Sequence, residues 1–381
     1  MATKKQRILG ALLGVHAGDS FGAAHEFETW QAIRQRFPPD GAIPREITGG
    51  GPFGWAPGHA TDDTDMTRSI LLGYMDAKDA KDAKDASGAS TDSLGLARAA
   101  SKHMLQWFNG PWADRPAISR PSDVGGATAR GLMLLMRSAA SSGELDPRRA
   151  GAGHGSCGNG SLMRCIPTAL FATDSTALIA ETALLSAVTH NDWRCILACV
   201  AYNAMVRALV VDGAAPADAI TAGLDTVTSP ATTDIAVAAL TVDGQPPPNT
   251  ATLAQCQAEV VAAIDRARLP SFRVARLADE GPHILVEDDN GQDVDALPLE
   301  GRGFVLDSLI LAVAAVLDTT RSWEELVVDV VRVGRDTDTN GAVAGGLVGA
   351  RDGIEAIPAT WRAKLQFGDE FAQIVDQLVG A

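Results

Sequence analysis

The stretch Thr61-Asp62-Asp63-Thr64-Asp65 constrains this chain more than any other. It sets three carboxylates and two hydroxyls in five residues, then runs into the helical apolar pattern Met66, Ile70, Leu71, Tyr74. Carboxylates are favourable in the first turn of a helix, where free N–H groups carry partial positive charge. A heavily capped helix start would explain one such cluster. It does not explain two, and Arg335-Asp336-Thr337-Asp338-Thr339 repeats the pattern near the other end of the chain. Two like charges ~4 Å apart repel by roughly 4 kcal/mol at an effective dielectric near 20. Bringing both clusters together therefore calls for cations between them, and an oxygen-only donor set suits Mg²⁺, Mn²⁺ or Ca²⁺ rather than zinc. Asp336 and Asp338, two apart, can face one cation in extended chain. Adjacent Asp62 and Asp63 diverge and suit two neighbouring cations, while Thr61 and Thr339 offer neutral oxygens. The expectation is a site for two divalent cations, Mg²⁺ or Mn²⁺.

The rest of the chain supplies a way to bring the clusters together. Gly10, Gly14 and Gly18 are spaced four apart in a predicted helix over 7–24, and Gly341, Gly345 and Gly349 repeat the spacing after the second cluster. Helices with such stripes approach until their backbones touch. Further helices are predicted over 92–108, from Pro121-Ser122-Asp123-Val124-Gly125 through Leu135, and as a pair over 176–212 joined at Thr189-His190-Asn191-Asp192. A strongly apolar, central helix is predicted over 303–318. Ser322 and Glu325 have the spacing of a capping box. Two stretches break the rhythm. The Asp-Ala-Lys repeat within 76–90 has a period of three that fits no helix and reads as a solvated low-complexity insertion. Residues 241–300, with Pro246-Pro247-Pro248 and Asn290-Gly291, read as peripheral, with a small β-hairpin.

Five glycines fall within residues 151–160, ahead of Ser161-Leu162-Met163-Arg164. Free backbone N–H groups in such a run suit a phosphate-type anion, with Gly155, Ser156, Cys157, Gly158, Asn159 and Gly160 as the nest. It is neither a P-loop nor a dinucleotide fingerprint, because G-K-[ST] and a preceding strand pattern are both missing.

Composition narrows the function. With 32 Lys and Arg against 47 Asp and Glu, the formal charge is −15, which argues against gripping nucleic acid by its phosphates. The five cysteines form no C-x-x-C, and their scattered, odd count fits a reducing, cytoplasmic setting. No apolar run is read as reaching membrane-spanning length, and the basic N-terminus leads into a glycine-broken stretch too short for a signal peptide.

Taken in order, the segments resemble the ADP-ribosylglycohydrolase family. Gly18-Asp19-Ser20-Phe21-Gly22-Ala23-Ala24-His25-Glu26 is similar to its G-D-x-x-G-x-x-x-E, Pro57-Gly58-His59-Ala60-Thr61-Asp62-Asp63-Thr64 to P-G-x-x-T-D-D-T, and Pro121-Ser122-Asp123-Val124-Gly125 to P-x-D-[VI]-G. Gly158-Asn159-Gly160-Ser161-Leu162-Met163-Arg164 is similar to G-N-G-x-x-M-R, and Asp336-Thr337-Asp338-Thr339 to the second acidic motif. The resemblance spans residues 8–350. It departs at Cys157, where an aromatic is common, and in the Asp-Ala-Lys insertion. It implies one all-α orthogonal domain over 1–381 and removal of ADP-ribose from a protein side chain, most readily arginine-linked. It also implies that Glu26 and Asp336 act at the reaction centre, Asp336 being a cation ligand too. Asp123, the 155–160 loop, Met163 and His190 would hold ADP-ribose. The expected partners are an ADP-ribosylated protein and ADP-ribose, without nucleic acid or membrane.

Three other readings compete. An isoprenoid-synthase-like enzyme is all-α with Mg²⁺ aspartates, but it expects D-D-x-x-D, which Asp62-Asp63-Thr64-Asp65 misses. A binding or toxin-immunity module would keep the fold and act by occlusion. A crystallin-like structural descendant would have lost acidic ligands, and both motifs are intact. No H-E-x-x-H, G-x-S-x-G or Ser–His–Asp pattern supports nucleophilic catalysis.

Overall fold

The structure is a computed structural model that describes residues 2–37, 45–84, 92–113, 115, 119–288 and 290–380. Among them the chain is helical, with seventeen α-helices and one two-stranded antiparallel sheet. The all-α expectation holds.

Two helices form the axis of the site. Lys4–Gly22 starts from a Thr3/Gln6 capping box and is buried from Gly10 to Gly22. Thr337–Asp352 runs antiparallel to it, Gly10 meeting Gly349, Gly14 meeting Gly345 and Gly18 meeting Gly341. A Cβ at Gly14 would stand 2.2 Å from the Gly345 carbonyl oxygen, so nothing larger than hydrogen fits. This contact sets the end of the first helix beside the start of the other, where Thr337 Oγ1 donates to the Gly22 carbonyl at 2.8 Å. The second acidic helix start, that of Asp62–Lys84, is tied to the same end. Asp19 Oδ2 accepts the backbone N–H groups of Thr61 (3.1 Å) and Thr64 (3.2 Å).

Two apolar helices pack behind this pair. Val305–Leu317 is buried over all but its last residue, and Trp193–Arg207 is buried round its circumference. The latter continues through a π-helical turn, Ala208–Asp212, giving 20 largely apolar residues. That is long and apolar enough to cross a membrane, contrary to the sequence reading, but most of it is buried inside the protein. A helix enclosed on every side by other helices has no polar face to keep.

The structure differs from the sequence reading at two further places. Helix Asp62–Lys84 carries straight through the first Asp-Ala-Lys repeats. The repeat puts Lys78 and Asp82 one turn apart, their charges paired at 2.5 Å, and alanine adds helix propensity. The remainder of that insertion lies outside the described residues. Within 241–300, Leu253–Arg268 is a sixteen-residue helix that buries Leu253, Cys256, Val260 and Ile264 in the main core. The hairpin is present, Leu285–Glu287 pairing with Asp293–Asp295 in the register Val286↔Val294. The Ser322 capping box is present as well.

Candidate active site

The first turns of Asp62–Lys84 and Thr337–Asp352 converge on a cavity of about 520 Å³. Glu26 reaches it from the segment after the first helix, and Asp123 from the loop ahead of helix Gly126–Ser142. Carboxylate oxygens of Glu26, Asp123 and Asp338 lie within 4.8 Å of one another. Asp62, Asp336 and Thr339 complete the acidic wall. Thr61 and Asp63 do not line the cavity but sit directly beneath it. Asp63 Oδ2 accepts hydrogen bonds from Thr61 Oγ1 at 3.3 Å and Thr339 Oγ1 at 3.2 Å, one from each acidic motif.

Burial and mutual repulsion govern the ionisation here. Burial first, then Asp123, Asp336 and Asp62, push the Glu26 carboxyl up to about 9. Burial also holds Asp62, Asp63 and Asp338 well above the usual carboxylate range and Asp123 at about 6. Asp336 is raised by burial, while the Asn159 side chain, donating to its Oδ2 at 2.8 Å, works the other way. Glu26 Oε2, Asp63 Oδ1 and Asp338 Oδ1 are buried without a hydrogen-bond partner. Buried carboxylate oxygens without donors are costly unless they coordinate something.

Gly158, Asn159, Gly160, Met163 and His190 form the adjoining wall, joined to the acidic one where Asn159 meets Asp336. Buried Arg164 fixes it, donating to the Gly160 carbonyl, to Leu185 O at 3.1 Å and to Thr189 Oγ1 at 2.6 Å. Thr189 Oγ1 in turn lies 2.8 Å from His190 Nδ1. Burial, then the Arg164 charge, holds the His190 ring neutral, down at about 3.

The nest read from sequence is only half open. The Gly155 N–H donates to Asp192 Oδ2 at 2.7 Å, and the Ser156 N–H donates to Gly153 O. Gly155, Ser156 and Cys157 do not line the cavity, and local bonds already take the Gly155 and Ser156 N–H groups. What replaces them is the N-terminus of helix Gly126–Ser142. Its N-cap is Gly125, without a side-chain cap, so Asp123 is free of that role, and Gly126, Ala127 and Thr128 line the cavity. The Pro-Ser-Asp-Val-Gly-Gly run, glycines just ahead of a helix, was the available signal.

Two other roles escaped the sequence reading. Asp19 sits in the first motif and ties the two helix ends together. Asp65, third carboxylate of its cluster, points away and accepts the indole N–H groups of Trp107 (2.9 Å) and Trp112 (2.7 Å).

Fold and site together define an all-helical enzyme whose carboxylates and helix-start N–H groups face one cavity, the equipment for hydrolysing a bond in an anionic glycoside. The chain belongs to the ADP-ribosylglycohydrolase family, whose model matches residues 1–381, and it is accordingly a hydrolase of ADP-ribose conjugates. It is 27% identical over 362 residues to the ADP-ribosyl-[dinitrogen reductase] glycohydrolase of Rhodospirillum rubrum, covering 94% of this chain and 90% of that one. It is 24% identical to an ADP-ribosylarginine hydrolase of Pseudomonas putida, covering 98% of this chain and 77% of the relative. A solved ADP-ribosylglycohydrolase-related protein complex shares the fold, with a TM-score of 0.59 over 99% of this chain and 98% of that one, at 24% identity.

Proposed function

We propose that the protein releases ADP-ribose from modified arginine side chains by hydrolysis at the anomeric carbon. The observation that carries this reading is the meeting of Glu26, Asp123 and Asp338 within 4.8 Å, beside the uncapped start of helix Gly126–Ser142. Similarity to an ADP-ribosylarginine hydrolase supports the arginine linkage.

In this reading the diphosphate lies against the first turn of Gly126–Ser142, where the N–H groups of an uncapped helix start and the helix dipole favour an anion, with Gly158 and Gly160 beside it. The ribose then sits over the acidic wall. Asp336, steadied by Asn159, orients a water toward the anomeric carbon. The Glu26 carboxyl, kept protonated by its surroundings, donates to the departing guanidine nitrogen as the C–N bond breaks. One acid and one base on either side of a glycosidic bond is the usual division of labour between two carboxyl groups.

The residues fit divalent cations. The donor set of Asp62, Asp63, Asp336 and Asp338 with Thr61 and Thr339 is all oxygen, and Asp63 Oδ1 and Asp338 Oδ1 lack any other partner. Bound there, Mg²⁺ or Mn²⁺ would screen the carboxylates from one another and supply Lewis-acid chemistry to the substrate oxygens.

Mass spectrometry of defined arginine-linked and serine-linked ADP-ribosyl peptides after incubation with the protein tests the proposal. Loss of the modification from the arginine peptide is expected. Intact arginine peptide with cleaved serine peptide would move the linkage to serine. Tight ADP-ribose binding with both peptides intact would favour a binding or immunity module.

A further inference from the structure

The described backbone holds three non-glycine residues at positive φ: Phe27 (65°), Glu300 (54°) and Arg335 (74°). Residues with a Cβ seldom adopt this conformation, and they keep it only where the surroundings enforce it. All three meet at one edge of the cavity. The Phe27 N–H donates to Arg335 O at 2.7 Å, the Arg335 N–H donates to Glu28 O at 2.6 Å, and Arg335 Nη2 lies 4.0 Å from Glu300 Oε2. The consequence is a sharp change of exposure along the chain. Glu26 is 6% exposed, and Phe27, the next residue and also in the cavity wall, is 62% exposed.

The Phe27 ring is propped from behind. It packs edge-on against Phe53 (6.3 Å between centroids), Phe53 packs on Trp55 (5.5 Å), and Trp55 stacks on His59 (4.7 Å), two residues before Thr61. The glycine-rich loop ahead of the first acidic motif thus carries a row of rings from the acidic helix start to the mouth. An exposed aromatic face at the mouth of an acidic cavity suits a planar cation. Guanidinium stacks on aromatic faces, and Glu26, Asp123 and Asp338 supply the complementary field. Arg302 and Arg335, the cationic side chains in the described wall, both lie near Glu300, Arg302 at 2.8 Å, which offsets part of their charge.

We propose that Phe27 is the acceptor-recognition residue, its ring stacking on the guanidinium of the modified arginine while ADP-ribose fills the cavity behind it. This rests on the arginine-linked reading above. A cation–π contact of this kind is worth roughly three- to thirty-fold in affinity. The test is steady-state kinetics of Phe27→Ala and Phe27→Trp on an arginine-linked ADP-ribosyl peptide, with calorimetry of free ADP-ribose and a melting curve for each variant. Phe27→Ala should raise KM on the arginine peptide by that factor, change kcat less than threefold and leave the ADP-ribose Kd in place, and Phe27→Trp should restore KM. An unchanged KM with wild-type cleavage intact overturns the role of Phe27 and leaves the proposed function standing. An ADP-ribose Kd weakened in the same ratio also overturns it, by placing the ring at the nucleotide end. Failure of the wild type to cleave the arginine peptide overturns the arginine reading, and this inference with it.

Discussion

Gly14→Ala tests the contact that assembles the site. The new methyl would stand 2.2 Å from the Gly345 carbonyl oxygen, roughly 1.2 Å inside ordinary contact. The obstacle is helix backbone, which cannot rotate away as a side chain can. Overpacking of this kind costs about 1–3 kcal/mol, and the rigid neighbour puts it at the upper end. Alanine returns about 1 kcal/mol of helix propensity, leaving a net loss of roughly 2 kcal/mol. A 381-residue chain unfolds with an entropy near 0.8 kcal/mol/K, so the melting temperature should fall by roughly 2–3 °C. Gly126→Ala is the control, a helical glycine with nothing within 4 Å of an added Cβ, and it should hold or raise the melting temperature. Scanning calorimetry of both variants checks this. A Gly14→Ala protein melting at or above the wild type would refute the reasoning that touching backbones position the two acidic helix starts.

Other consequences follow from the same geometry. Divalent cation at a hundredfold excess over Kd should add about 2.7 kcal/mol of stability, or roughly 3 °C, and identical melting curves in EDTA and millimolar Mg²⁺ or Mn²⁺ would count against the cation site. Glu26 has a folded-state pKa near 9, above its unfolded value, so its contribution is complete at low pH and is lost as pH rises through 9. Between pH 7 and 9, above the range in which buried His16 and His190 titrate, the EDTA-treated protein should therefore lose stability with pH more steeply than the cation-loaded one, as thermal melts at each pH would report. Gly160→Ala would put a methyl 2.8 Å from His190 Cε1 and 3.0 Å from Thr128 Oγ1, narrowing the cavity, and should weaken ADP-ribose binding at least tenfold by calorimetry.

The sequence carried the features that repeat or keep a regular spacing. The paired acidic motifs and the two glycine stripes were legible because each has a spacing only a helix start or a close helix contact explains. What stayed hidden depended on partners far along the chain. The nest was over-read because Asp192, 37 residues beyond Gly155, takes the Gly155 N–H. Asp19 looked like part of a motif, but its work is to accept two N–H groups from 42 and 45 residues away. The Asp-Ala-Lys repeat was misjudged by its period, when one i,i+4 ion pair and its alanines suffice to extend a helix already started. Phe27 gave no signal at all, since its exposure comes from a positive φ held by a backbone bond to Arg335, 308 residues further along the chain.

The central claim is that this carboxylate cavity performs the hydrolysis and that Glu26 serves the reaction rather than the fold or the binding. Glu26→Gln keeps the shape and removes the titrating oxygen. Proton transfer by a positioned side chain typically contributes 10²–10⁴-fold. Turnover of the arginine-linked peptide by Glu26→Gln should fall by about that factor, with ADP-ribose affinity within a few-fold of the wild type. Turnover preserved on every peptide that the wild type cleaves would contradict the account.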